Sequence, residues 1–460
     1  MYRKKAHIHF VGIGGIGMSG IATILRQQGY TISGCDLDVH QKSAQLLQEL
    51  GCTLHEGNNT PACHDPSIEI LVYSSAIRAH NEEILAAQSR GIPTIPRALM
   101  LAELMRTKYS IAIAGAHGKT TTTSLVSHIL IEASLNPTVI IGGHLKNIST
   151  NARFGAGEFL VAEADESDRS LLHLHATLAI ITNIDLEHLD VYKDIDDIKH
   201  TFLQFLNNLP FYGKAILCID DPHIQSLLPL SHLKIIKYGI DHAADVMAKD
   251  IILAPDHSRF TLVLNGDAIG DIHINLPGRH NVLNALGAIA LAKDLNISLE
   301  VIQHALAGFK GIDRRFSYHG TYRGADIFDD YGHHPTEIYA TLQVARNRSR
   351  GRVVVVFQPH RYTRTKALWD QFIEIFLQSP IDDLIITDIY AASEDVIPGI
   401  TSLAFVEALK ARGPQFSVTY VPYEYEFTQI RSCLDTHIMA DDLVLLLGAG
   451  RINQLAQYIK

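Results

Sequence analysis

The segment Ser110–Ser124 reads SIAIAGAHGKTTTTS, an apolar run followed by a glycine loop and four threonines. Such a run before a polar helix start is typical of a parallel strand that ends at a phosphate-binding loop. The loop departs from the full G-x-x-x-x-G-K-[ST] motif, because Ile113 stands where its first glycine would be. Its glycines still free the backbone for phosphate, its lysine supplies a cation and its threonines supply hydroxyls. The segment therefore predicts a nucleoside triphosphate site, with these candidate contacts: Gly115, Ala116, His117, Gly118, Lys119, Thr120 and Thr121.

Short β-rich runs alternate with amphipathic helical stretches along the whole chain, which favours parallel α/β sheets. The 460 residues correspond to three domains at roughly 150 residues each. We expect an α/β fold with an N-terminal Rossmann-like domain (1–98), a central P-loop ATPase-type parallel-sheet domain (99–313) and a C-terminal Rossmann-like α/β domain (314–460). The segment Gly91–Ala98, GIPTIPRA, is predicted to be a linker because it is rich in proline and glycine. Predicted strands include His7–Gly12, Thr31–Cys35, Ile70–Tyr73, Ser110–Ala114, Phe159–Ala162, Leu178–Thr182, Ala325–Phe328, Val353–Phe357, Leu384–Thr387 and Leu443–Leu447, and predicted helices include Gly17–Gln28 and Asn281–Leu295.

A second glycine loop, VGIGGIGMSG, lies at Val11–Gly20. Three of its glycines fit G-x-G-x-x-G between a strand and a helix, where backbone N–H groups can approach a pyrophosphate. An acidic residue follows the next strand, at the place of a ribose-binding acid. The motif does not distinguish NAD from another nucleotide, and a glycine-rich turn that packs a helix on a strand is the structural alternative. The candidate residues are Gly12, Gly14, Gly15, Gly17 and Asp36.

Acidic residues and a histidine follow two further apolar runs: Glu163, Asp165, Glu166 and Asp168 after the first, and Asn183, Asp185, Glu187 and His188 after the second. In a parallel sheet these strand ends lie beside the phosphate loop. Carboxylates suit Mg²⁺, and a histidine ligand would make Mn²⁺ a substitute. The alternatives are a solvated acidic loop and a surface histidine. We predict a metal site that includes Glu163.

Composition excludes several classes of protein. The net charge of −10, with no long run of one sign, gives no nucleic-acid or anionic-membrane surface. The five cysteines, Cys35, Cys52, Cys63, Cys218 and Cys433, lack paired spacing, which argues against a disulfide framework or a zinc cluster. We find no signal peptide and no apolar stretch of the ~20 residues that a membrane span needs. The expected location is the cytoplasm.

Taken together, these motifs resemble the Mur ligases, the ATP-dependent amide-forming enzymes of peptidoglycan synthesis. The likeness runs through essentially the whole chain and is carried by FVGIGGIGMSG, GAHGKTTTT, EADESD, TNIDLEHLD, PGRHNVLNA, DRRF, DDYGHHPTE and QPHRYTRT. The resemblance implies that the first domain holds the UDP of a sugar substrate, so that no nicotinamide is involved. It also implies that the central domain binds ATP and that the third domain presents an amino acid.

The resemblance assigns roles to individual positions. Lys119 and Thr120 would contact the ATP phosphates, and the metal ligands would be Thr120, Glu163 and His188. The remaining ATP contacts would be His280 and Asn284 at the adenine, Arg314 at the γ-phosphate and Asp330 at the ribose. Alternatives are helix capping at a Pro-Gly turn for His280 and Asn284, and a surface loop for Arg314. The amino acid would meet Tyr331, His333, Arg361 and Arg364, since arginine can bind a carboxylate through two N–H groups; structural histidines and solvated arginines are the alternatives.

The implied reaction joins L-alanine to the lactyl carboxylate of UDP-N-acetylmuramate through an acyl phosphate, with Lys119, Arg314 and the metal offsetting negative charge. His333 is the expected general base, because imidazole titrates near neutral pH. The partners are small molecules only, and the expected assembly is a monomer or weak homodimer. Alternatives are a ligase that adds a murein tripeptide to the same sugar nucleotide, an NAD-dependent dehydrogenase with an accessory ATPase domain, and a non-enzymatic ATP-binding switch.

Overall fold

The computed structural model describes residues 5–57, 59, 64–74, 76–78, 80–147 and 150–459. Its first sheet has five parallel strands in the order β3-β2-β1-β4-β5, and β1 ends directly before the first glycine loop. The elements of this part are β1 (His7–Val11), α1 (Ile16–Gln27), β2 (Thr31–Asp36), α2 (Lys42–Glu49), β3 (Thr53–Glu56), β4 (Ile70–Tyr73), α3 (Glu82–Ser89), β5 (Thr94–Pro96) and α4 (Arg97–Met105).

The prediction of a linker at Gly91–Ala98 is wrong. Residues Thr94–Pro96 form β5, which pairs in parallel with β4 at the edge of the first sheet, and α4 begins immediately afterwards. Proline is tolerated here because an edge strand has one side without ladder hydrogen bonds, and Pro96 precedes the first helical position. The boundary expected between residues 98 and 99 falls inside α4.

The central part forms a ten-stranded sheet, in which the strand before the phosphate loop, β6, lies between β10 and β9. The sheet is parallel from β13 to β7 and antiparallel at its two ends, where β13, β14 and β15 form one extension and β7 pairs with β8. The order is β15-β14-β13-β12-β11-β10-β6-β9-β7-β8. The elements are β6 (Tyr109–Ala114), α5 (Lys119–Glu132), β7 (Thr138–Leu145), β8 (Thr150–Arg153), β9 (Phe159–Glu163), a 3₁₀ turn (Ser170–His173), β10 (Leu178–Ile181), α6 (Ile195–Asn207), β11 (Lys214–Cys218), α7 (Pro222–Gln225), β12 (Lys234–Gly239), β13 (Val246–Leu253), β14 (Ser258–Leu264), β15 (Asp267–Ile274), α8 (Arg279–Asp294) and α9 (Leu299–Ala307).

The C-terminal part is a six-stranded sheet with one antiparallel edge strand, β16, and five parallel strands. Its order is β16-β17-β21-β18-β19-β20, so the ends of β17 and β18 flank the central strand β21. The elements are β16 (Ser317–Tyr322), β17 (Ala325–Asp330), α10 (Pro335–Arg348), β18 (Val353–Phe357), α11 (Tyr362–Ala367), α12 (Trp369–Gln378), β19 (Asp383–Ile386), α13 (Ser402–Ala411), β20 (Ser417–Tyr420), α14 (Thr428–His437), β21 (Leu443–Leu447), a 3₁₀ turn (Ile452–Gln454) and α15 (Leu455–Tyr458).

One hydrophobic core spans the first and central sheets. It runs from Ala6 to Ile312 and includes the buried face of α1 and of α4, so burial of apolar surface fixes the first sheet against the second. The Asn151 amide adds a polar contact by donating to the Ile16 carbonyl at the start of α1 (2.6 Å). The C-terminal sheet has its own core on each face. The fold thus confirms the expected three-domain α/β architecture.

None of the helices in the described residues is both long and apolar enough to cross a bilayer. Within the same residues, Cys35, Cys52, Cys218 and Cys433 form no disulfide, and Cys63 lies outside the described part of the chain.

Candidate active site

The glycine loop after β6 is held by the neighbouring strand end. The Ala116 and His117 amides donate to the carbonyl and side-chain oxygens of Asn183 (3.1 and 2.8 Å), and the Thr182 hydroxyl donates to the His117 carbonyl (2.6 Å). Gly118 has φ +81°, and a Cβ there would lie 2.4 Å from Asn284 Oδ1. Only glycine allows both this backbone conformation and this close approach to α8. The loop is therefore preformed, as a phosphate site requires.

Lys119 occupies the first turn of α5, surrounded by acceptors. Its Nζ donates to the Gly115 and Ala116 carbonyls (2.6 and 3.0 Å) and to Glu166 Oε1 (2.8 Å). Burial alone would lower the pKa of Lys119, but the carboxylates of Glu166 and Asp165 raise it above its ordinary value. The ammonium is therefore charged at neutral pH, and a phosphate oxygen can replace one of its present acceptors.

Two sets of candidate metal ligands lie near this lysine, one around Glu163 and one around His188. Glu163 accepts from the Gly142 amide (2.8 Å) and interacts with the Thr120 side chain. His188 Nε2 lies 3.4 Å from Glu166 and 3.6 Å from Glu187, and these three residues form a group with metal-ligand spacing. One carboxylate oxygen of Glu166 and one of Glu187 are buried without a hydrogen-bond partner among the described residues. Buried carboxylate oxygens beside an imidazole fit a divalent cation such as Mg²⁺ or Mn²⁺. The predicted ligand Glu163 is not a member of this group.

A cavity of about 700 Å³ opens from the phosphate loop between the central and C-terminal sheets. His280, Asn284 and Asp330, which the sequence assigns to ATP, all line it. Burial lowers the pKa of His280 to about 4, so its ring is neutral and can accept or donate one hydrogen bond. Asp330 accepts from the Phe316 and Gly332 amides (2.8 and 2.7 Å), and burial raises its pKa to about 6.

The two arginines of DRRF have different surroundings. Arg314, the predicted γ-phosphate contact, donates to the carbonyls of Gly448 and Gly450 (2.8 and 3.1 Å) and does not line the 700 Å³ cavity. Arg315 does line it, with Nη1 3.8 Å from Glu337 Oε1. Burial alone would lower the pKa of Arg315, but Glu337 and Asp330 raise it. Arg315 was missed in the sequence, because nothing in an Arg-Arg pair says which guanidinium faces the ligand.

His333 lies at the turn after β17. Its Nδ1 is 3.0 Å from the Tyr331 carbonyl and 3.3 Å from Glu337 Oε2. Both partners are acceptors, so Nδ1 carries the proton and the lone pair is on Nε2. Burial lowers the pKa of His333 to about 4, although Glu337 acts in the opposite direction. His334, next in the chain, instead caps α10 by accepting from the Thr336 amide (3.3 Å).

A second cavity, of about 380 Å³, lies between residues of the central loop after β10 and the start of α11. Arg361 and Arg364 line it together with Glu187 and His188. Arg361 Nη1 is 3.7 Å from Asp190 Oδ2, and Arg364 Nε is 3.6 Å from Glu187 Oε1. The structure therefore places both predicted amino-acid-binding arginines beside the candidate metal group. Neither Tyr331 nor His333, the other two predicted amino-acid contacts, is among the residues that line this cavity.

The first glycine loop lines a third cavity, of about 330 Å³, through Gly15 and Gly17. The same cavity is lined by Lys119 and Glu163, so it joins the first domain to the phosphate loop. Asp36 lies behind the loop, where its Oδ2 accepts from the Gly14 amide (2.8 Å). Gly12, with φ +79°, forms the tight turn after β1.

The C-terminal sheet is fixed to the phosphate loop by a polar contact. His117 Nε2 is 2.9 Å from Asp185 Oδ2, and its Nδ1 is 3.4 Å from Glu337 Oε1 of α10. The Thr336 hydroxyl donates to the same Asp185 oxygen (2.7 Å). Burial alone would lower the pKa of His117, but the Asp185 and Glu337 carboxylates raise it to about 10. The sequence did not reveal Thr336 and Glu337, because their role depends on how two domains meet.

Comparison with known proteins supports a relationship over the whole chain. Three family models match consecutive regions: "Mur ligase family, catalytic domain" at residues 7–109, "Mur ligase middle domain" at 113–292 and "Mur ligase, glutamate ligase domain" at 314–450. The UDP-N-acetylmuramate–L-alanine ligase of Syntrophotalea carbinolica is 48% identical over 459 residues, covering 99% of this chain and 98% of that protein. The ligase of the same name from Geotalea daltonii is 47% identical, covering 100% and 98%.

Solved structures agree. The crystal structure of UDP-N-acetylmuramate–alanine ligase from Thermotoga maritima superposes with a TM-score of 0.81 at 26% identity and covers 98% of each chain. A murein peptide ligase from Psychrobacter arcticus shares the fold, with a TM-score of 0.73 at 24% identity and coverage of 99% and 98%. From its matched domains and its full-length relatives, the chain belongs to the Mur ligase family.

Proposed function

We propose that this protein is an ATP-dependent ligase that joins L-alanine to the lactyl carboxylate of UDP-N-acetylmuramate, giving ADP and phosphate, in peptidoglycan precursor synthesis. The observation that carries the proposal is the identity of 48% over 459 residues to a ligase of that name. The site supports it, because residues of the phosphate loop and of the first turn of α5 line the 700 and 330 Å³ cavities. The 380 Å³ cavity is lined by Glu187 and His188 of the candidate metal group.

Each cavity is assigned by the groups that line it. ATP occupies the 700 Å³ cavity, with its phosphates on the loop that ends at Gly118 and its base near His280. The sugar nucleotide lies along the first glycine loop and brings its carboxylate through the 330 Å³ cavity to Lys119. L-Alanine lies in the 380 Å³ cavity, where Arg361 and Arg364 face its carboxylate.

The chemistry follows from the poor reactivity of a carboxylate toward an amine. A lactyl carboxylate oxygen attacks the γ-phosphorus of ATP, the bond to the β-bridging oxygen breaks, and ADP leaves. The alanine amine then attacks the carbonyl carbon of the acyl phosphate, and phosphate leaves with the former carboxylate oxygen. Two anions meet in the first step, so cationic groups around them lower the barrier. Lys119 and Arg315 supply this charge, whereas Arg314, the γ-phosphate contact expected from the sequence, donates to the Gly448 and Gly450 carbonyls.

A divalent cation fits the group beside Lys119. Thr120, Glu163 and His188 would hold Mg²⁺, with Mn²⁺ as a substitute, and Glu166 and Glu187 would lie next to them. When bound, the ion supplies positive charge that neutralises the phosphate oxygens. The buried Glu166 oxygen that has no hydrogen-bond partner among the described residues supports a cation beside His188.

The alanine ammonium must lose a proton before it can attack. His333 is the proposed acceptor, because its ring is neutral at pH 7 and Nε2 carries the lone pair. Nε2 lies 3.9 Å from Glu187 Oε1, and Glu187 lines the 380 Å³ cavity, although His333 itself does not. A base with so low a pKa binds a proton weakly. His333 therefore holds the proton from the alanine ammonium only transiently.

We place the reaction in the cytoplasm, where ATP is available and scattered cysteines stay reduced. We propose that the protein is a monomer or a weak homodimer. All three substrates are small molecules.

A phosphate-release assay with each substrate omitted in turn tests the proposal. Phosphate is expected only when ATP, UDP-N-acetylmuramate and L-alanine are all present, in a one-to-one ratio with UDP-N-acetylmuramoyl-alanine. Replacing L-alanine by the murein tripeptide is expected to give little product. Equal or faster turnover with the tripeptide would identify the tripeptide ligase instead, and nicotinamide-dependent absorbance would support the dehydrogenase.

A further inference from the structure

The first residue of α4, Arg97, lies where the first glycine loop meets the central domain. A Cβ on Gly17, in the first turn of α1, would lie 2.5 Å from Arg97 Nη1. On the other side, Arg97 Nη2 is 3.3 Å from Asp165 Oδ2, next to the candidate metal group. The guanidinium therefore bridges the helix N-terminus of one domain and a carboxylate of the next.

Arg97 lines the 330 Å³ cavity, which is also lined by Gly15, Gly17, Lys119 and Glu163. Among the described residues that line this cavity, Arg97 and Lys119 are the cations. The Arg97 side chain is 22% exposed, so it is partly withdrawn from water but reachable from the cavity. A half-buried guanidinium facing a cavity has a strong preference for a phosphate or carboxylate that can accept two N–H groups.

We propose that Arg97 binds an anionic group of the sugar nucleotide, exchanging Asp165 for it when the substrate enters. This inference rests on the proposed function and adds a specific residue to the substrate site. The sugar nucleotide carries two such groups, its diphosphate and its lactyl carboxylate. The diphosphate would lie at the start of α1, and the carboxylate would lie toward Asp165 and Lys119.

Glycine at position 17 is part of the same arrangement. A side chain at this position would collide with the guanidinium, so Gly17 makes room for Arg97 as well as for a nucleotide. The sequence pattern G-x-G-x-x-G alone explains the glycine by its own approach to a pyrophosphate. The structure adds a cation from a segment 80 residues later in the chain.

The test measures binding by calorimetry without ATP, using the wild-type protein, Arg97→Gln and Arg97→Lys. The ligands are UDP-N-acetylmuramate, which carries both anionic groups, and UDP-N-acetylglucosamine, which lacks the carboxylate. Arg90→Gln is the matched control, because Arg90 lies in the same domain, donates to the Asp65 carbonyl at the surface (3.0 Å) and does not line the 330 Å³ cavity. ATP binding to each variant reports whether the central domain is intact.

Arg97→Gln is expected to weaken UDP-N-acetylmuramate binding by about 10- to 100-fold, the range for loss of a charged hydrogen bond. Arg97→Lys should recover part of the lost affinity for UDP-N-acetylmuramate. The ATP affinity of the Arg97 variants and the UDP-N-acetylmuramate affinity of Arg90→Gln should equal those of the wild type. Equal loss for both ligands assigns Arg97 to the diphosphate, and loss for UDP-N-acetylmuramate alone assigns it to the carboxylate. Unchanged binding of both ligands to Arg97→Gln would overturn the inference, as would an equal loss of ATP affinity. If the wild-type protein itself binds no UDP-N-acetylmuramate, the proposed function fails instead.

Discussion

Neighbouring arginines 314 and 315 direct their guanidinium groups into different environments, and substitution can separate their roles. Arg315→Met is expected to lower kcat/KM for ATP by about 10²- to 10³-fold, as for other groups that stabilise developing charge. Arg314→Met leaves the Gly448 and Gly450 carbonyls without this donor and should cost about 1–3 kcal/mol of stability.

Steady-state kinetics and thermal unfolding of both variants provide the measurement, with the Lys analogues as charge-preserving controls. The assignment of the γ-phosphate to Arg314 predicts the reverse ranking, with the larger loss of kcat/KM in Arg314→Met. That ranking would contradict the geometry described here.

Sequence patterns identified many individual residues but not their partners. Lys119 and Glu163 were predicted because each follows a predicted strand, and the family resemblance added His188. The structure brings these three positions to one edge of the sheet. Arg97, Arg315 and Glu337 were not singled out, because neither an isolated charged residue nor one of two adjacent arginines has a local pattern that marks a ligand contact. Their roles depend on which side chain of another domain they meet.

The contact between helices α5 and α8 depends on glycine at their junction. Gly118→Ala would place a Cβ 2.4 Å from Asn284 Oδ1 at φ +81°, so Asn284 must move away from the phosphate loop. We expect a loss of about 1–3 kcal/mol from the strained backbone, together with weaker ATP binding.

Gly266→Ala is the matched control, because Gly266 also has a positive φ (+96°) but its Cβ would have no neighbour within 4 Å. It should cost stability through the backbone alone and leave ATP affinity unchanged. The comparison uses chemical unfolding and calorimetric titration of ATP. Equal ATP affinity in both variants would show that the approach of Asn284 to the loop has no role in binding.

The contact between the phosphate loop and α10 is expected to depend on pH. Asp185 and Glu337 raise the pKa of His117 to about 10 despite its burial, above the ordinary value of about 6.5. A raised pKa stabilises the contact fully below pH 6.5, and this stabilisation is lost as pH rises through about 10.

Thermal midpoints of the wild-type protein and His117→Gln between pH 6 and 10 test this expectation. The wild type should be more stable at pH 6, and the difference should shrink toward pH 10. Other titrating groups are common to both proteins and cancel. A difference that stays constant with pH would mean that the imidazole is neutral in the folded protein.

Individual strands were predicted well where the chain shows a short, continuous apolar run. The strands Ile70–Tyr73, Val353–Phe357 and Leu443–Leu447 have the predicted bounds, because each is a short apolar run buried in a parallel sheet. The edge strand β5 was predicted as a linker, since its Pro and Gly content hides a strand that pairs on one side only. The antiparallel extension β13–β15 was not predicted either.

The three candidate ligand cavities lie between domains. Ligand binding is therefore expected to change the relative positions of the domains. The C-terminal sheet contacts the central one through charged pairs such as Arg361 with Asp190 (3.7 Å), which are worth little alone and weaken with salt. Closure over all substrates would keep water from the acyl phosphate.

Solution scattering tests this expectation. A non-reactive set of ligands, an ATP analogue with UDP-N-acetylmuramate and L-alanine, should reduce the radius of gyration relative to the ligand-free protein. High salt should increase the value for the ligand-free protein and have a smaller effect on the complex. Identical scattering curves with and without ligands would contradict closure.

At this scale the sequence indicated three α/β units but not their contacts. The core shared by the first two sheets is formed in part by apolar helix faces. The sequence does not show which helices would place their apolar faces between these two sheets. The amphipathic pattern shows that a helix has a buried face, but it does not identify the surface that covers it.

The central claim is that phosphate passes from ATP to a carboxylate of the sugar nucleotide before the amide forms. UDP-N-acetylmuramate labelled with ¹⁸O in both lactyl carboxylate oxygens tests it, with mass spectrometry of the released phosphate after turnover with ATP and L-alanine. One ¹⁸O per phosphate is predicted, because the carboxylate oxygen that attacks phosphorus leaves with it. Phosphate without the label would contradict the acyl phosphate and with it the roles assigned to the site.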